Sequence, residues 1–121
     1  MIGYITLGTN DIARAAKFYD ALLASMGAKR AMESDRFIAW SSAAGTPMVC
    51  VIKPQDGKAA SPGNGTMLAL AAGSNAKVDA LYKQAIALGA QDEGPAGPRG
   101  DGFYAGYFRD LDGNKLAFFH M

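Results

Sequence analysis

Few residues in this chain have side chains that could carry chemistry. There is one histidine, His120, and one cysteine, Cys50, in 121 residues. A single histidine cannot serve both a nucleophilic triad and a metal site, and no Gly-x-Ser-x-Gly elbow occurs. Cys50 lies within an apolar run and reads by strand parity as a small buried hydrophobe facing a helix. Asp110 and Asp112 imitate the opening of a calcium loop, but no acidic residue follows Gly113 to complete one. The stretch Asp110-Leu111-Asp112-Gly113-Asn114 is better read as a tight hairpin connection, because Gly, Asn and Asp tolerate positive φ. Tyr4, paired with Lys115 or Arg109, is an acid–base candidate. Arg99, in the loop Pro98-Arg99-Gly100-Asp101-Gly102, offers a bidentate receptor for an anion. Gly94, Gly97, Gly100 and Gly102 lack the strand–loop–helix setting of a phosphate loop.

Hydrophobic periodicity gives the elements that must hold these groups. Residues 2–9 alternate, with Ile5 and Leu7 on one face and Tyr4 and Thr6 on the other, which predicts a strand. Asn10 or Asp11 caps a helix whose apolar stripe runs Ile12, Ala15, Ala16, Tyr19, Leu22, Leu23 and Met26, with Gly27 as its stop. Three extended segments follow, at 28–33, 36–41 and 47–53, separated by turn signals. Residues 54–65 are rich in Gly, Pro, Ala and Ser and read as a linker loop. The pattern then restarts with a strand at 66–72. A helix follows, capped by Ser74 or Asn75, striped by Val78, Leu81, Tyr82, Ala85 and Leu88 and closed by Gly89. Tyr4 and Met67 are 63 positions apart, as are Tyr19 and Tyr82. The sequence therefore contains an internal repeat of a βαβββ unit. A second Gly/Pro loop is expected at 94–102, before a strand at 103–109 and the closing hairpin.

Composition excludes several partner classes. Half the residues are hydrophobic, 19% are charged and the net charge is +1. With no basic stripe or polybasic block, neither nucleic acid nor a membrane surface is an expected partner. No apolar run approaches the roughly 20 residues of a spanning helix. The N-terminus begins directly in a strand pattern. One cysteine excludes an internal disulfide, which together with the absent signal pattern predicts a cytoplasmic protein.

Two motifs and the repeat together carry a resemblance. The first helix region, Asn10 to Tyr19, has an Asp ahead of the helix and a Phe18-Tyr19 pair within it. The closing turn reads Asp-Leu-Asp-Gly-Asn. The chain thereby resembles, over essentially its whole length, the glyoxalase / bleomycin-resistance / dioxygenase (vicinal oxygen chelate) superfamily, whose turn usually reads Asp-Pro-Asp-Gly-Asn. The resemblance implies an α+β fold in which two paired βαβββ modules form a U-shaped, incompletely closed sheet with helices outside. It also implies one domain over 1–121, with modules at 1–53 and 66–121 joined by the 54–65 linker, and a homodimer. The family's metal ligands fall, residue by residue, on Tyr4, Val51, Met67 and Ala117. A phenol, a thioether and two alkyl groups make no ligand set for a hard divalent ion, so no metal and no cofactor are expected. His120 lies three residues beyond Ala117 and so on the opposite face.

With Tyr4 and Ala117 marking the implied cavity face, parity extends it to Thr6 on the first strand and to Val49, Val51 and Lys53 on the fourth. Ala69 and Ala71 join on the fifth. Met67 lines it at the start of the second half. Phe103, Ala105 and Tyr107 follow on the seventh strand, with Arg109 as a further candidate there, then Lys115 and Phe119 on the last, with Arg99 at the mouth. Phe37 and Trp40 have opposite parity, so only one of them shares this face. Small residues leave room and aromatic ones make an apolar wall, which suits a small hydrophobic or aromatic ligand. The expected function is metal-free binding of such a molecule in the cleft. The alternatives are a glyoxalase-like lyase/isomerase or dioxygenase-related enzyme with non-standard ligands, and a structural module whose cavity its own side chains fill.

Overall fold

The computed structural model describes all 121 residues. The chain divides into two compact units, Met1–Pro62 and Gly63–Met121, and the division falls within the Gly/Pro-rich segment between the repeats. Each unit is a βαβββ module, and the fold is α+β.

In the first module, β1 (Tyr4–Gly8) leads into α1 (Ile12–Ala24), followed by β2 (Lys29–Glu33), β3 (Phe37–Ser41) and β4 (Met48–Ile52). Asp11 is the helix cap: its carboxylate accepts from the Arg14 amide at 3.0 Å, which satisfies a donor with no intrahelical partner. The sheet order is β1-β4-β3-β2, with β1 and β4 parallel and the other pairs antiparallel. The predicted helical stripe is the buried one: Ala15, Ala16, Tyr19, Leu22 and Leu23 are buried together with Phe18. They pack on Ile38, Trp40 and Val51, and the Tyr19 and Trp40 rings lie 5.7 Å apart. Trp40 donates its indole N–H to Asp20 at 2.8 Å. Asp20 also takes a two-pronged contact from Arg30, and that guanidinium holds its carboxyl below the usual value.

The second module repeats the plan with β5 (Leu68–Ala71), α2 (Asn75–Ala87), β6 (Gln91–Pro98), β7 (Tyr104–Arg109) and β8 (Lys115–His120). Ser74 caps its helix, and the sheet order is β5-β8-β7-β6. Val78, Leu81 and Ala85 of α2 are buried, as are Phe108, Leu116 and Phe118 on the side of the sheet that faces the helix. Gly106 is required where the helix comes close. A Cβ there would stand 3.0 Å from the Tyr82 ring and 3.2 Å from the Ala96 backbone.

The expected loop at 94–102 is corrected. Residues up to Pro98 pair with β7 as an edge strand, with register shifts around Gly94. An edge strand tolerates Pro and Gly because one of its sides has no ladder partner, and bulges collect there. The closing turn forms as expected. Asp110 Oδ1 accepts from the amides of Asp112 and Asn114, each at 2.9 Å, and Gly113 has φ of +88°. No helix is long and apolar enough to cross a membrane.

Candidate functional site

Each sheet has one face under its helix and one open face, and register decides which residues share the open one. Partners across a ladder point to the same side, and successive residues alternate. In the first module Thr6 pairs with Cys50, and Cys50 pairs with Ala39. Tyr4 pairs with Met48, and Phe37 with Ile52. These residues, with Met32, line a cavity of about 290 Å³ on the open face. Its walls are apolar. The only polar groups among its lining residues are the Tyr4 and Thr6 hydroxyls and the Cys50 thiol. Ala39 and Cys50 are buried at its base, while Tyr4 is 63% exposed at its edge. Burial pushes the Cys50 thiol above its usual pKa, so at neutral pH it is a protonated, uncharged group.

Two expectations are corrected here. Val51, expected beside Tyr4 and Thr6, lies on the helix side of the sheet and is 1% exposed. It pairs with Leu7 and Ile38, as Val49 pairs with Ile5 and Trp40. Cys50, expected to face the helix, takes the open face instead. Every residue of Met48–Ile52 is apolar, so the strand has no alternation from which to read its face. Of Phe37 and Trp40, Phe37 shares the cavity. Sequence reasoning missed Met32, Ala39, Met48 and Ile52. Their signal was available only once Thr6 was known to pair with Cys50.

In the second module the expected residues come together, but differently. Ala69 pairs with Ala117, which pairs with Tyr107, and Ala105 pairs with Phe119. Phe103 stacks on Phe119 at 5.8 Å between ring centroids. The Tyr107 ring is flanked by two cations, Arg99 at 5.4 Å and Lys115 at 5.6 Å. Arg99, expected as a receptor for an anion, turns inward: its guanidinium donates to the Pro95 and Pro98 carbonyls. Arg109 pairs with Glu93 at 2.7 Å, and this holds the Glu93 carboxyl below its usual pKa. Met67 precedes β5 and is 43% exposed. His120 lies on the helix side, with Nδ1 3.0 Å from Asn75 Oδ1.

A model of the Glyoxalase/Bleomycin resistance protein/Dioxygenase superfamily matches residues 1–118. The chain belongs to that superfamily. A glyoxalase/bleomycin resistance protein from Albidiferax ferrireducens T118 has 34% identity and a TM-score of 0.91 over 100% of this chain and 98% of its own. Two more distant likenesses speak for the fold alone. A glyoxalase-related enzyme from Fulvimarina pelagi has 24% identity and a TM-score of 0.76, covering 98% of this chain and 86% of its own. A lactoylglutathione lyase from Agrobacterium tumefaciens has 21% identity and a TM-score of 0.72, covering 98% and 92%. No protein of curated function matches the sequence.

The divalent metal chemistry that membership implies does not fit these residues. In the second module β5 and β8 pair Ala69 with Ala117, and neither carries a donor. In the first, Tyr4 offers an exposed phenol and Thr6 a hydroxyl, beside a protonated thiol. No three His, Cys, Asp or Glu side chains stand close enough to hold an ion.

Proposed function

We propose that the chain binds a small, uncharged, apolar or aromatic molecule on the open face of its first module, without a divalent metal. The observation that carries this reading is the cavity floored by Ala39 and Cys50 and walled by Phe37, Met32, Met48 and Tyr4. An apolar cavity of about 150 Å³ holds benzene, so about 290 Å³ accommodates a larger, fused-ring molecule. No formal charge lines the cavity, so a carboxylate or ammonium entering it would lose its hydration without a partner. The two hydroxyls orient a ligand rather than hold it. A homodimer and a cytoplasmic location are part of the same reading. The first is supported by the exposed apolar residues Tyr4, Met32 and Met67, the second by the single unpaired Cys50.

The neutral fluorophore N-phenyl-1-naphthylamine tests it. The full chain should bind the dye saturably, and neutral bicyclic aromatics should displace it while their carboxylates displace it poorly. Filling the cavity with Ala39→Phe, or from its edge with Thr6→Phe, should abolish binding while the circular dichroism spectrum is kept. Unchanged affinity in both variants, in folded protein, places the ligand elsewhere and sinks the proposal.

A further inference from the structure

The first module's cavity has a second property that its apolar character conceals: it collects sulfur. The chain has one cysteine and six methionines, and Cys50, Met48 and Met32 line this one cavity. Register explains how they can meet. Met32 pairs with Ala39 and Ala39 with Cys50, so the three stand in one row across β2, β3 and β4. Two strand spacings separate the Cα atoms of Met32 and Cys50 by about 10 Å. Only the Ala39 methyl lies between them, so the long, flexible Met32 thioether can lean across it. Met48 is two residues before Cys50 on the same strand, about 7 Å away along it. Both methionine sulfurs are within reach of a common point above the Cys50 thiol.

We infer that this cavity binds one soft monovalent cation of the Cu(I) or Ag(I) class, with Cys50 Sγ as the anionic ligand and the Met48 and Met32 Sδ atoms as neutral ones. Ligand type and charge select this class. Thiolate and thioether donors favour soft ions. Mg and Ca need oxygen ligands such as carboxylates, and Zn needs further thiolate, imidazole or carboxylate groups beside one cysteine, all of which the cavity lining lacks. On binding, the S–H bond of Cys50 breaks, a sulfur–metal bond forms and the proton leaves to solvent, with no change of oxidation state. A monovalent ion bound to one thiolate leaves the cavity with no net charge. A divalent ion would leave one uncompensated positive charge among apolar walls, which is costly. The inference shares this cavity, and Cys50, Met32 and Met48, with the organic-ligand reading. It depends on their sulfur atoms where that reading depends on apolar volume, so dye binding and metal binding can fail separately.

The test is anaerobic competition of the reduced, full-length protein with bicinchoninate for Cu(I), with native mass spectrometry for stoichiometry. The expected result is one Cu(I) per chain and one proton released per ion. Cys50→Ser should abolish this binding. Met48→Leu and Met32→Leu nearly conserve volume and keep the fold, and each should weaken affinity about tenfold or more, as loss of a supporting group at a metal site does. A wild-type protein that withdraws no copper from the chelator overturns the inference. So does a folded Cys50→Ser variant that binds as the wild type does. Methionine variants with unchanged affinity overturn it too, because a lone thiol would then account for the binding.

Discussion

Ala39 and Tyr107 occupy the same place in the two modules. Each pairs with the last-strand residue that in turn pairs with the first strand: Ala39 with Cys50 beside Thr6, Tyr107 with Ala117 beside Ala69. In the first module this position is a methyl group and a cavity stands over it. In the second it is a phenol ring, packed between Arg99 and Lys115. The topology is the same and the helix sides are alike, with Trp40 and Phe108 equivalent and both buried. The difference teaches a division of labour between the faces of one sheet. The helix side carries the burial that makes each module fold, so it must be large and apolar in both. The open side is free of that demand, so a methyl group can stand there in one module and a cation-flanked ring in the other.

The sharpest test of the shared half of this comparison is the largest in energy. Trp40→Ala and Phe108→Ala each remove a fully buried aromatic from the helix–sheet layer and should each cost about 3–5 kcal/mol, read from urea unfolding midpoints. Trp40→Ala also strips Asp20 of its indole donor and leaves that carboxylate to Arg30. If either substitution cost less than about 1 kcal/mol, the helix sides would not be equivalent and the contrast could not be assigned to the open faces.

A smaller effect tests the half that differs. The Tyr107 ring carries two cation–π contacts, each about 0.5–1 kcal/mol at an exposed site, so Tyr107→Ala should cost about 1–2 kcal/mol. Tyr107→Phe keeps the ring and should cost little. High salt should narrow the gap between wild type and the alanine variant, because exposed charges are screened. An alanine variant as stable as the wild type would mean that the ring and its two cations do not hold this face together.

Much of this was legible in the sequence, and the boundary of what was legible has a physical cause. Both helices, their caps to within one residue (Asn10 or Asp11, Ser74 or Asn75) and the Asp110–Asn114 turn announced themselves, because local hydrogen bonding and a 3.6-residue stripe are local properties. The open face of β7 and β8 was also legible, since Tyr107, Lys115 and Phe119 alternate with the buried Phe108, Leu116 and Phe118. Two things were not. The face of β4 was hidden, because Met-Val-Cys-Val-Ile has no polar residue to mark the outside. Only its pairing with β1, more than forty residues away, moves Cys50 into the cavity and Val51 out of it. The strand at Gln91–Pro98 was hidden because its Gly and Pro content belongs to an edge, and being an edge is a property of the assembled sheet.

The smallest expected effect concerns the two helix tyrosines that the repeat aligns. Tyr19 is fully buried against Trp40, whereas Tyr82 lies over Gly106 and reaches Asp92 with its hydroxyl at 2.6 Å. Burial first, then the bond to Asp92, pushes the Tyr82 pKa up from 10.0 to about 12. In return Tyr82, followed by the Gly94 amide, holds the Asp92 carboxyl below its usual value. The folded protein therefore binds the Tyr82 proton more tightly than the unfolded chain does. The resulting stabilisation is fully present below pH 10 and is lost as the pH rises towards 12. The Asp92 part runs the other way: it is present above the usual carboxyl value and fades as acid protonates the group. Tyr82→Phe should thus lower the melting temperature at neutral pH, and the gap to wild type should shrink as alkali is added. Tyr104, whose pKa is raised mainly by its bond to Asp79, stays in both proteins and serves as the internal reference. A gap that stays constant through the alkaline range would show that the Tyr82 hydroxyl contributes nothing through Asp92, and that the two helix tyrosines differ only in depth.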